Sequence, residues 1–261
     1  MPKIKYIPRY SETNYNISKT SPLKSYFILS FGITAFCLLV YLLLGVTVSF
    51  LAPHIPVSLE AKIGSMYESF GEGDRMEDES ARLQALLDSL VPLLEPEDRE
   101  LDYRVVVSES PVVNALALPG GRIVVYSGLL KEIDDEQELT FVLGHELGHF
   151  HHRDHLKRLG RGLAGMTLVV TLLGADSGAS DFVLQRVQNL ESKFSRAQEK
   201  DADMFGVELL HKKYGNAKGA VEFMDKLAQE ERFGKPAYYF ASHPHPQSRK
   251  DYLKDKLEDM K

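Results

Sequence analysis

The sequence predicts an α+β protein: a mainly helical domain carrying a small β-sheet, preceded by one membrane-spanning helix. Three observations predict it. Residues 26–52 contain no charged side chain. Residues 103–126 hold β-rich runs broken by Pro119-Gly120-Gly121. Helical patterns fill most of the remainder, and one of them, GHELGHFHHRDH (144–155), holds five of the nine histidines.

The uncharged run comes first. It is 27 residues long, and about 20 suffice to span a bilayer core. A cleavable signal has an apolar region of about 7–15 residues and a small-residue site after it. Here the run is longer, and Ser49-Phe50-Leu51-Ala52-Pro53 is a poor site, so an uncleaved anchor is expected. Five Lys/Arg precede the span, against Glu12 alone, and only Lys62 lies within twenty residues after it. Positive charge stays inside. The expectation is a single-pass protein of the inner (plasma) membrane, with residues 1–25 a cytoplasmic basic tail, 26–52 in the lipid bilayer and the remainder on the periplasmic or extracytoplasmic side.

Composition narrows the class. The chain has 261 residues, 44% hydrophobic and 26% charged, which is that of a folded protein. A net charge of −6 argues against a nucleic-acid partner, which favours basic surfaces. Cys37 is the only cysteine, so no intramolecular disulfide can form.

Residues 53–78 carry Pro53, Pro56, Gly64, Gly71 and Gly73 and read as a connector with one short helix. A domain is expected over 79–261. Leu83, Leu86, Leu87 and Leu90 recur at helical spacing, and Pro96 ends that helix. YRVVVSES (103–110) is a strand, and NALALPGGRIVVYSGLL (114–130) reads as strand, turn, strand and helix start at Ser127. A helix is expected over 135–154. Residues 160–175 are apolar but short for a span and carry Arg161, so a buried or membrane-touching helix is expected. A loop at 174–181 and helices near 183–213, 216–231 and 246–259 follow.

His145-Glu146-Leu147-Gly148-His149 fits H-E-x-x-H. On a helix, positions i and i+4 share a face, so both imidazoles can reach one cation. Glu146 beside them can polarise a water on it, and zinc is the usual ion for such a site. His155 has the spacing of a third ligand, but that pattern needs glycine where His152 stands. With His152 there the helix is expected to continue, turning His155 away from the metal and leaving His151, His152 and His155 at the rim, behind the ligands or in solvent. The better candidate is downstream: Glu199 and Asp203 lie four apart in FSRAQEKDADMFGVELL (194–210). Glu199 can supply the carboxylate ligand, and Asp203 can accept the other ring N–H of a ligand histidine.

Four blocks taken together, NALALPGGRIVVYSGLL, LGHELGHFHHRDH, SRAQEKDAD and SHPHPQSR (242–249), resemble the membrane-linked gluzincin peptidases: HtpX-like proteases, CAAX prenyl proteases and Oma-type mitochondrial proteases. The resemblance implies a zincin-type metallopeptidase domain with one Zn2+ per chain on His145, His149 and Glu199. It implies Glu146 as general base and Asp203 behind the ligands. Asn114, Ala115, Leu116 and Ala117 would pair with an extended polypeptide substrate. His243 and Arg249 would match the later histidine and arginine, either steadying the oxyanion or, for His243, capping the zinc. HtpX-like members have several spans where this chain has one, and the many-helix chamber of the prenyl proteases is absent. The implied function is a membrane-anchored zinc metalloendopeptidase in quality control of envelope proteins. The competing reading is a chaperone or assembly factor with a capped zinc site.

Overall fold

In the computed structural model, residues 21–70, 73–174, 194–232, 243 and 246–259 are described. The tail before Ser21, the loop after Gly174, the first turns of the helix expected from 183 and the neighbours of His243 lie outside them. The chain divides into two units, Met1–Leu43 and Leu44–Lys261.

Helix α1 covers Pro22–Leu51 and has no buried residue. Among the described residues it is the one helix long and apolar enough to cross a membrane. Its last turns belong to the second unit. A turn at Ala52–His54 leads into α2 (Val57–Gly64), which the connector expectation allowed for.

Helix α3 (Glu77–Leu90) buries Leu83, Leu87 and Leu90. Beside it lies a three-stranded sheet, β1 (Arg104–Ser108), β2 (Ala115–Leu118) and β3 (Arg122–Tyr126), in the order β1-β3-β2. β1 is parallel to β3, with Val106 opposite Val124. β2 is antiparallel to β3, with Leu116 opposite Val124. Their turn holds Gly120 and Gly121 at φ 84° and 81°, a region other residues rarely enter. Helix α3 closes the outer edge of β1: Val105 N–H donates to Gln84 Oε1 and Val107 N–H to Ser80 Oγ, each at 2.9 Å. β2 is therefore the edge strand whose outer side no described strand pairs.

A short helix α4 (Ser127–Leu130) leads to α5 (Glu136–His151), capped by the Asp135 side chain accepting from Glu138 N–H. Residues Leu139 to Phe150 of α5 are all buried, an internal helix. Helix α6 (Asp154–Leu173) follows; Val48 from the end of α1 packs against its Gly160, while Leu163, Met166 and Leu173 stay exposed. Then come α7 (Arg196–Tyr214), α8 (Lys218–Arg232) and α9 (Pro246–Asp259). Of the helix expected over 183–213, residues 183–193 lie outside the described residues, Phe194 and Ser195 are not helical, and the helix runs from Arg196. Ser195 caps α7 in a reciprocal box with Gln198, which satisfies N–H groups the first turn would leave orphaned.

Glycines let α5 and α7 meet. A Cβ on Gly148 would stand 2.8 Å from Ala202 Cα, and one on Gly206 would stand 3.0 Å from His145 N. The helix backbones approach closely at the turns that carry His145 and His149 on one side and Glu199 and Asp203 on the other.

Candidate metal centre

His145, His149, Glu199 and His243 each offer one atom, and these atoms lie within 4.8 Å of one another. All four side chains are buried. Bond lengths of about 2.0–2.2 Å would place tetrahedral ligand atoms roughly 3.4 Å apart, a spacing this cluster brackets. His145 and His149 sit one turn apart on α5, and Glu199 reaches them from α7.

The ring nitrogens are sorted by their partners. His145 Nδ1 stands 2.9 Å from Asp203 Oδ1, and His149 Nδ1 stands 3.2 Å from Asp154 Oδ2. Each carboxylate accepts from Nδ1–H and turns the Nε2 lone pair inward. His149 Nε2 and both carboxylate oxygens of Glu146 are buried and make no hydrogen bond among the described residues. Inward lone pairs and an unpaired carboxylate at one point are what a bound cation satisfies, so the donor set fits a zinc ion.

His243 joins the cluster with Nδ1 2.9 Å from Glu199 Oε1 and 3.2 Å from His145 Nε2. Its Nε2 is 3.7 Å from Glu146 Oε1. Arg249, on α9, binds carboxylates: Nε donates to Asp203 Oδ2 at 2.8 Å, and a terminal nitrogen stands 2.7 Å from Glu199 Oε2. Tyr252 O–H donates to Asp203 as well. Burial raises the Asp203 pKa, but Arg249 and His145 outweigh it and lower it to about 2; Glu199 is held well below its ordinary range against burial by His243 and Arg249. Burial lowers the His145 pKa, with Asp203 opposing it. At His149 burial also disfavours charge, but Asp154 and Glu199 outweigh it and raise the pKa to about 9.

The helix does not continue through His152, contrary to expectation. α5 ends at His151, and Arg153 takes φ 55°, a left-handed conformation that breaks the chain without glycine. Three contacts hold the break. Asp154 is pinned between His149 and Gln198 Nε2 (2.8 Å), Arg153 pairs with Glu60, and His155 Nε2 stands 2.8 Å from Glu60 Oε1. His155 lies behind the ligands, one of the places the sequence allowed: it is buried against Phe150 with Nδ1 3.3 Å from the His149 carbonyl oxygen. His151 is exposed, with Nδ1 2.7 Å from Asp98. Asn114, Ala115, Leu116 and Ala117 lie in or before β2, away from the ligand cluster in sequence, with the Asn114 side chain accepting from Ala115 N–H at 2.9 Å.

Sequence reasoning missed three residues around the ligands. Asp154 carried a signal, its place five residues after His149. Glu60 and Phe194 carried none. Glu60 acts across about ninety residues of chain, and Phe194 stacks on His149 with ring centres 3.9 Å apart.

A family model, Peptidase family M48, matches residues 77–256. The chain belongs to peptidase family M48. Similar proteins include the Metalloprotease LoiP of Escherichia coli, 32% identical over 60% of this chain and 63% of that protein. The Beta-barrel assembly-enhancing protease of Yersinia pestis is 30% identical over 57% of this chain and 33% of that protein. The human mitochondrial Metalloendopeptidase OMA1 is 26% identical over 72% of this chain and 40% of that protein. The chain thus spans about a third to two thirds of the length of these M48 relatives.

Proposed function

We propose that this M48 protein is a membrane-anchored zinc metalloendopeptidase. The observation that carries the reading is the convergence of His145, His149 and Glu199 around a buried Glu146 that has no hydrogen-bond partner among the described residues. His145, His149 and Glu199 hold one Zn2+, which supplies the Lewis acidity that activates water and polarises a carbonyl. Glu146 takes the proton of the attacking water and delivers it to the leaving amine. Asp203 and Asp154 hold the two imidazoles in the tautomer that keeps Nε2 inward. Arg249 keeps Asp203 and Glu199 ionised and oriented. The edge of β2 that no described strand pairs, from Ala115 to Ala117 with Asn114 at its start, suits an extended polypeptide, because strand addition reads backbone more than side chains.

The charge asymmetry about residues 26–52 supports a single-pass anchor in the inner membrane, N-terminus in the cytoplasm and catalytic domain outside it. An anchored peptidase with weak side-chain selectivity suits removal of misfolded envelope proteins. The domain division follows: tail 1–25, anchor 26–52, connector 53–78 and catalytic domain 79–261. The test is metal content and casein cleavage by the full chain in detergent micelles. One zinc per chain, lost in His149→Ala and Glu199→Gln, with cleavage stopped by a chelator, is expected. Cleavage that survives complete removal of metal overturns the reading.

One observation favours a second reading, a chaperone or assembly factor with a capped site. His243 lies within the ligand cluster, and a fourth protein ligand closes a zinc site. His243→Ala separates the two. A rise in cleavage marks His243 as a cap, and a fall marks it as part of the chemistry.

A further inference from the structure

The basic side chains near the ligand cluster mostly have carboxylate partners. Arg249 binds Asp203 and Glu199, Arg153 pairs with Glu60, and Lys157 with Asp154. Arg158 is different. Among the described residues no carboxylate or carbonyl accepts from its guanidinium, which lies 4.7 Å from the centre of the Phe194 ring. It is half-buried.

Its position is fixed by the site. Arg158 lies one helical turn after Asp154, the residue that holds His149. Phe194 stacks on His149 at 3.9 Å with the rings 15° apart, so His149 occupies one face of Phe194 and Arg158 must take the other. Glu146 and Glu199 are the acidic groups whose charges favour its protonated form most, against burial, which lowers its pKa. A guanidinium over an aromatic face is held in place by the ring while N–H groups directed away from it stay available to take a carboxylate with two parallel hydrogen bonds.

We propose that Arg158 binds a carboxylate of the peptide being cut. An oxyanion at the cleaved carbonyl requires a donor within about 3 Å. Arg158 stands beyond Phe194, a full ring thickness past His149, which is too far. At roughly 3.3 Å per extended residue, its reach falls about two residues along the chain from the reacting carbonyl. The carboxylate is an acidic side chain or the free C-terminus of the peptide; both present the same two oxygens. This inference rests on the peptidase reading for its ligand class and adds a specificity residue to it.

The test is binding, so it does not depend on turnover. The zinc-loaded full chain carrying Glu146→Gln, in detergent micelles, is titrated into fluorescent ten-residue peptides. A single glutamate is walked through the peptide, each against its glutamine twin, with the C-terminus free or amidated. At least one glutamate placement, or the free C-terminus, is expected to bind about tenfold tighter than its neutral twin, the factor of one charge-assisted hydrogen bond pair. Adding Arg158→Gln should erase that preference with zinc content unchanged, and Arg158→Lys should keep part of it. Loss confined to the glutamate peptides identifies a side chain, and loss confined to free C-termini identifies the chain end. The proposal is overturned if Glu146→Gln alone shows no charge preference, or if Arg158→Gln leaves the preference intact. Running the Glu146-intact chain on the same peptides keeps the two readings apart. A charge preference without cleavage of any peptide sinks the peptidase reading and leaves Arg158 an anion site. Cleavage without preference does the reverse.

Discussion

Asp154 stands 3.2 Å from His149 Nδ1, as Asp203 stands 2.9 Å from His145 Nδ1. The two carboxylates come from different elements, the first residue of α6 and the middle of α7, yet do the same work. Each fixes one imidazole. Replacing Asp154 by alanine frees the His149 ring and also removes an acceptor from Gln198 and Lys157. Zinc affinity should fall about 10–100-fold, the usual effect of losing such a partner. Competition against a chelating dye measures it; an unchanged affinity would deny Asp154 this role.

Arg249 is the buried cation behind the cluster, 2% exposed. Arg249→Met leaves Asp203 and Glu199 charged and unneutralised in the interior. Breaking a buried pair this way costs about 3–5 kcal/mol. Denaturant unfolding of the metal-free full chain should show a loss of that size, and a loss under ~1 kcal/mol would mark the pair as dispensable.

The close approach of α5 and α7 depends on glycine. In Gly148→Ala the new methyl meets Ala202 Cα at 2.8 Å, and neither backbone can yield independently. Overpacking of this kind costs about 1–3 kcal/mol. Zinc affinity should fall with it, because the helix that moves carries Glu199. A stable variant with parental zinc affinity would show that the helices tolerate a wider gap.

The pH dependence follows from His149, whose pKa is raised to about 9 without metal. Its sign is that of a raised cation. The stabilisation is complete below the ordinary histidine pKa of about 6.5 and is lost as pH rises through about 9. Zinc needs the neutral ring. Zinc uptake at pH 7 should therefore release about one proton from His149, and none well above pH 9. Calorimetry in buffers of different ionisation enthalpy counts that proton. Equal heats in all buffers at pH 7 would contradict the assignment.

Much of the fold was legible because its signals are local. Apolar, β-rich runs with Pro119-Gly120-Gly121 between them mark β2 and β3, and leucine spacing marks α3. The long apolar helix α1 needs only length and absence of charge. The candidate site was legible where its spacing follows the helix repeat, His145 to His149 and Glu199 to Asp203. The rest was set by contacts distant in sequence. The break after His151 needs Arg153 in a left-handed conformation, which no propensity favours; Glu60, about ninety residues earlier, holds it in place. That contact also turned His155 into a buried structural residue. The resemblance implied a place for Arg249 at the reacting centre, and the sequence could not show the two carboxylates it binds.

The central claim is hydrolysis with Glu146 as the base. The most direct measurement compares the full chain with Glu146→Gln in detergent micelles, both loaded with zinc, on casein. The parent is expected to cleave and Glu146→Gln to lose at least ~100-fold in rate, the scale of a general base, while binding the same amount of zinc. Cleavage by Glu146→Gln at the parental rate would contradict the claim, and so would zinc-loaded parent and His243→Ala chains that both cleave nothing.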